Sequence, residues 1–137
     1  MQSDIIEKIE SYFKNRSEVV AVYLFGSYAK GKNRSQSDID IGILVEHDPL
    51  SEEDDLYKIY LQELTRLIRK DIHLVFMNNA GEGILYQIFK YGKCIVNNYP
   101  AILTRFKMVR YSMIAEFAYH RNLMQKSFIK SIHEKNQ

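Results

Sequence analysis

VVAVYLF, Val19–Phe25, is seven consecutive apolar residues, most of them β-branched or aromatic. An amphipathic strand alternates apolar and polar side chains, so an unbroken apolar run of strand length reads as a strand buried on both faces. That requires a sheet with cover on each side. IDIGILV, seven residues long, is nearly as apolar, yet it carries Asp40, and Asp38 stands just before it. Side chains two apart along a strand point the same way, so these two carboxylates share a face roughly 7 Å apart. Like charges so placed repel unless a positive group lies between them.

The rest of the pattern supplies the cover. Ile5, Ile6, Ile9, Tyr12 and Phe13 recur at helical spacing behind Ser3 and Asp4 as candidate caps, predicting a helix to about residue 15. SEEDDLYKIYLQELTRLIRK, 51–70, predicts a second helix with Ser51 as cap, acids in its first turn and Arg69 and Lys70 in its last. DIHLVFMN, 71–78, predicts a third strand. A short helix over 84–90 ended by Gly92, a small edge strand at CIV and a long helix from Pro100 follow. Helix, two strands, helix, strand and helix make an α/β (α+β) domain on a small mixed sheet flanked by helices. No internal repeat or linker interrupts it. NNYP, 97–100, is the soft boundary between an expected core, 1–98, and a helical extension, 99–137, packed on or beside it.

At 137 residues and 46% hydrophobic, the chain suits one domain with a real core. A single cysteine, Cys94, excludes an internal disulfide and a cysteine-rich metal site, and points to the cytoplasm. No apolar stretch approaches the ~18 residues of a membrane span, and the amino terminus reads as an amphipathic helix rather than a signal peptide. Net charge is only +2, but residues 46–55 hold six acids and no Lys or Arg, whereas seven basic residues follow Pro100 against Glu116 and Glu134. The basic tail suits an acidic partner or a solvated helix face; direct nucleic-acid binding is the less favoured reading.

Between the first two strands lies GSYAKGKNRSQSDID, 26–40. Gly26, at the end of an apolar strand, allows a sharp turn and close approach of a ligand to the backbone. Ser27 adds a hydroxyl and a backbone N–H, and free N–H groups at the start of a helix would suit phosphate. Asp38 and Asp40 cease to repel if they jointly hold Mg²⁺, a hard cation that takes carboxylates together with phosphate oxygens. Two such ions clamp the attacking and leaving oxygens of an in-line displacement at phosphorus. Gly42 continues the same face without a side chain and is expected to leave room above the strand. Asp71 opens the third strand, either as a turn residue or as a third carboxylate that reaches a metal and helps to take a proton from an acceptor hydroxyl. His73 shares the Asp71 face and either lines the cleft or packs half-exposed. Lys30, Lys32 and Arg34 make the loop basic, suited to phosphate or simply solvated.

Gly26, Ser27, ten intervening residues, Asp38 and Asp40 resemble the GSx10DxD signature of the DNA polymerase β-type nucleotidyltransferase superfamily. The small size is similar to the minimal nucleotidyltransferases, the MNT family of HEPN/MNT toxin–antitoxin systems, over roughly 19–96. The resemblance implies the polymerase β-type fold, with Asp71 as third carboxylate, Gly26 and Ser27 on the nucleotide phosphates, and Asp38, Asp40 and Asp71 on two Mg²⁺ ions. It further implies an antitoxin in a hetero-oligomer with a HEPN ribonuclease toxin, transferring AMP from ATP to a toxin tyrosine. Two alternatives stay open. One is a small-molecule transferase of the antibiotic-modifying kind, which normally adds a second domain. The other is a non-catalytic antitoxin that blocks its partner by contact.

Overall fold

The computed structural model describes residues 2–26, 38–46 and 53–135. Ser27, Lys30, Lys32, Arg34 and the expected cap Ser51 lie outside the described residues. The elements run α1 (Gln2–Lys14), β1 (Val19–Phe25), β2 (Ile39–Val45), α2 (Glu53–Ile68), β3 (Ile72–Phe76), a 3₁₀ turn (Met77–Asn79), α3 (Glu82–Tyr91), β4 (Lys93–Asn97) and α4 (Pro100–Lys135). Among the described residues no helix is long and apolar enough to cross a membrane.

The four strands form one mixed sheet in the order β3-β2-β1-β4. β1 is central and antiparallel to both β2 and β4, while β3 lies parallel to β2 after the α2 crossover. Each face has its own core, which is why β1 and β2 are apolar on both sides. On one face Val22, Leu24, Ile39, Ile41 and Ile43 pack under α1 and α2, against Ile9, Phe13, Tyr60 and Leu64. On the other, Val20, Ala21, Tyr23 and Leu44 pack under α3 and α4, against Met77, Leu85, Ile88 and Leu103. Burial pushes the phenols of Tyr23 and Tyr60 well above the ordinary tyrosine range.

Three details differ from the sequence-based expectation, each for a physical reason. α2 stops at Ile68, before Arg69 and Lys70, because Arg69 adopts a left-handed φ of 62° and its N–H returns to the Thr65 carbonyl at 2.7 Å. β3 stops at Phe76: Asn78 Oδ1 accepts the Val45 N–H at 3.0 Å and Asn78 Nδ2 donates to the Val45 carbonyl at 2.9 Å. A side chain thus takes over from the ladder, and Met77 turns into the α3 core. The space over Gly42 is filled, since a Cβ there would sit 3.1 Å from Ile88 Cδ1 and 3.4 Å from Met77 Cγ. The missing side chain lets α3 sit close to the sheet rather than leaving a cavity.

α1, β1 and the start of α4 are tied by one residue. The Asn98 amide nitrogen faces the carbonyls of Val19 at 3.0 Å, Phe13 at 3.3 Å and Arg16 at 3.5 Å, and the Asn98 N–H donates to Val20 at 2.8 Å. Beside it the Tyr99 hydroxyl donates to the Ser17 carbonyl at 2.9 Å. Asn98→Ala should cost ~1–3 kcal/mol of stability, because part-buried carbonyls lose their donor. Urea unfolding at unchanged slope checks it; an unchanged midpoint would mean that water replaces the amide.

Candidate nucleotide site

The site lies where the α3 and α4 cover runs out, at the carboxyl end of β1 and the amino ends of β2 and β3. Phe25 pairs with Asp40 and Tyr23 with Gly42, so Asp40 lies on the α3 side of the sheet. Gly26 follows at once with φ +72°, a conformation that side chains disfavour. A Cβ at Gly26 would overlap Asp40 Oδ2. The glycine is therefore required twice, by its backbone angle and by the carboxylate in front of it.

Across β2, the parallel register pairs Asp40 with His73 and Ile39 with Ile72. His73 Nδ1 lies 3.1 Å from Asp40 Oδ1. The two side chains differ in access: Asp40 is 26% exposed and His73 59%. Asp71 lies two residues earlier, and its carbonyl accepts the Ile39 N–H at 3.0 Å, which places it alongside the approach to Asp38. Asp38 and Asp71 are both exposed. Of the residues singled out in the sequence, then, the structure brings Gly26 and Asp40 into contact and sets Asp38 and Asp71 at the same end of neighbouring strands. Ser27 is outside the described residues. His73 is the side chain within hydrogen-bond distance of Asp40; alternation placed it on the right face, but the register that puts it opposite Asp40 is a tertiary property.

Among the described residues no three His, Cys, Asp or Glu side chains are grouped closely enough to hold a metal by themselves. The donor set still suits Mg²⁺, which commonly takes one or two carboxylates and completes its shell with waters and substrate phosphates. The absent Cβ at Gly26 makes room for Asp40 Oδ2, which packs against the Gly26 backbone. Partial burial of its sulfur pushes the Cys94 thiol upward, away from the thiolate.

The basic residues at the start of α4 are less free than their sequence implies. Arg110 donates to the Asn78 carbonyl at 2.6 Å, and the Lys107 ammonium lies over the Tyr23 ring at 5.5 Å. Arg105 is exposed, and the side chains of Arg121 and Lys126 lie outside the described ones.

This mixed four-stranded sheet, with its glycine turn abutting a strand carboxylate, is that of a polymerase β-type nucleotidyltransferase domain. The chain belongs to the Polymerase beta, Nucleotidyltransferase family, whose model matches residues 7–100 and ends as α4 begins. No curated protein sequence matches it. Solved structures of similar fold include that of a tri-AMPylated Shewanella oneidensis HEPN toxin in complex with MNT antitoxin. That match has a TM-score of 0.67 at 23% identity and covers 94% of this chain and 99% of the other. A toxin–antitoxin with AMP-PNP matches with a TM-score of 0.64 at 22% identity, over 93% and 97%. The toxin–antitoxin MntA-HepT matches with a TM-score of 0.54 at 19% identity, over 96% and 95%. At these identities the likeness establishes the fold, and it extends into α4, beyond the family match.

Proposed function

We propose that this chain is an antitoxin nucleotidyltransferase that transfers AMP from ATP to a tyrosine hydroxyl of a HEPN ribonuclease toxin. The observation that carries the reading is the contact between the Gly26 turn and Asp40, which sets a stretch of backbone free of any side chain against a carboxylate. Family membership supplies the reaction class, and the tri-AMPylated HEPN toxin in the solved complex supplies the acceptor class.

In this reading Gly26 and Ser27 cradle the triphosphate with backbone N–H groups and a hydroxyl. Asp38, Asp40 and Asp71 hold Mg²⁺, with the nucleotide phosphates completing its ligands. When bound, the metal neutralises charge on the phosphates and orients them. The acceptor oxygen bonds to the α-phosphorus, the bond from that phosphorus to the β-phosphate oxygen breaks, and pyrophosphate leaves. Asp71, exposed at the mouth of β3, takes the acceptor proton. The residues after 98 form a helical extension anchored by Leu103 in the α3 core. Its exposed Ile102, Arg105, Met108 and Val109 offer a mixed basic and apolar contact for the toxin in a hetero-oligomer.

Incubating the full chain with a cognate HEPN protein, ATP and Mg²⁺ should add ~329 Da per nucleotide to the toxin, release pyrophosphate and silence its RNase activity. The modification should persist after the two proteins are separated. An unmodified toxin that is inhibited only while bound would replace this reading with blockade by contact.

A further inference from the structure

The contact between His73 and Asp40 has a direction. A carboxylate offers only acceptors, so across the 3.1 Å between His73 Nδ1 and Asp40 Oδ1 the proton sits on Nδ1. That hydrogen bond occupies one oxygen of Asp40. The other, Oδ2, faces the place where Gly26 lacks a Cβ. The two oxygens of one carboxylate are thereby assigned different tasks by their neighbours on β3 and after β1.

We propose that His73 is a positioning residue: it ties Oδ1 of Asp40 and so holds Oδ2 toward the Gly26 turn, ready for a divalent cation bound with the nucleotide. This rests on the nucleotidyltransferase reading above. The strand register supports it, because Asp40 and His73 are paired neighbours on the β2 and β3 backbones, so the imidazole is placed by the sheet and not by a mobile loop. Asp71 cannot serve the same purpose, since it enters the register two residues earlier, beside Asp38. The ring is 59% exposed and the core under it belongs to other residues, so replacing it leaves the packing of the sheet untouched. Partners that orient a metal-binding side chain typically contribute ~10–100-fold to metal affinity.

The test is an EPR titration of Mn²⁺ into the full chain in the presence of a non-hydrolysable ATP analogue, with thermal unfolding as the check on folding. His73→Ala should weaken Mn²⁺ binding ~10–100-fold. His73→Asn, whose amide nitrogen stands where Nδ1 stands, should recover most of it. His73→Gln, whose amide reaches toward the Nε2 position, should not. Mn²⁺ affinity unchanged in His73→Ala, or recovered equally by Asn and Gln, would overturn the proposal. So would a ¹⁴N hyperfine coupling to Mn²⁺ that vanishes in His73→Ala, because it would make His73 a ligand itself. Asp40→Asn separates the two levels of inference. If it abolishes Mn²⁺ binding while His73→Ala does nothing, only the role of His73 fails; if it too has no effect, the metal site fails with it.

Discussion

Asp40→Asn is expected to lower nucleotide transfer by on the order of 10³-fold with the fold intact, the size of loss seen when one preorganised group facing developing charge is removed. The substitution keeps the volume of the side chain and an oxygen able to accept from His73 Nδ1, so the 3.1 Å contact survives. The ladders from β2 to β1 and β3 use only backbone groups. What disappears is the negative charge beside the Gly26 turn. Asp38→Asn should impair transfer similarly, and in the absence of metal it should raise the thermal midpoint slightly by relieving repulsion along one face. The measurement pairs intact-mass analysis of the acceptor with calorimetric unfolding of each variant. Full transfer by the Asp38→Asn, Asp40→Asn double variant would end the metal-dependent reading.

How much of this was readable beforehand depends on whether the signal is local. Val19–Phe25 is apolar on both faces because two separate cores meet it, and its limits in the structure match the apolar run in the sequence. Gly92 ends α3 as expected, for a packing reason: a Cβ there would overlap the Ile88 carbonyl and crowd that of Leu24. Pro100 opens a helix that then runs unbroken to Lys135. Apart from the end of α2, where Arg69 turns back onto Thr65 four residues away, the misses involve distant partners. Asn78 ends β3 through Val45, 33 residues away. Ile88 and Met77 fill the space over Gly42 from a helix and turn whose placement no local pattern specifies.

The site divides in the same way. The spacing of Asp38 and Asp40 on one face follows from strand geometry alone, and the turn at Gly26 from its place at the end of an apolar run. Alternation also sets Asp71 and His73 on a common face of β3. Which of them stands opposite Asp40 is decided by register, and a parallel register is set by how α2 returns the chain and by Leu74 and Phe76 seating in the α1 and α2 core. One register makes His73 the immediate neighbour of Asp40; a shift of two residues would have made it Asp71. The sequence carries both possibilities with the same alternation.

Gly26→Ala should be as damaging to transfer as the loss of Asp40, and more damaging to stability. Two costs combine. Holding a residue with a side chain at φ +72° costs ~1–2 kcal/mol, whatever surrounds it. The new Cβ also overlaps Asp40 Oδ2, so the carboxylate must rotate away, giving up its position and its bond to His73, or the β1 end must shift. Steric overlap of this kind typically adds ~1–3 kcal/mol. The components separate in a double-mutant cycle. In an Asp40→Ala background the overlap is gone, so Gly26→Ala should there cost only the backbone term, and the two changes should be non-additive by ~1–3 kcal/mol in chemical unfolding. Additive costs would mean that the turn and the carboxylate do not touch in solution. In that case the juxtaposition on which the proposed chemistry rests would be lost, and Gly26 would be required for its backbone angle alone.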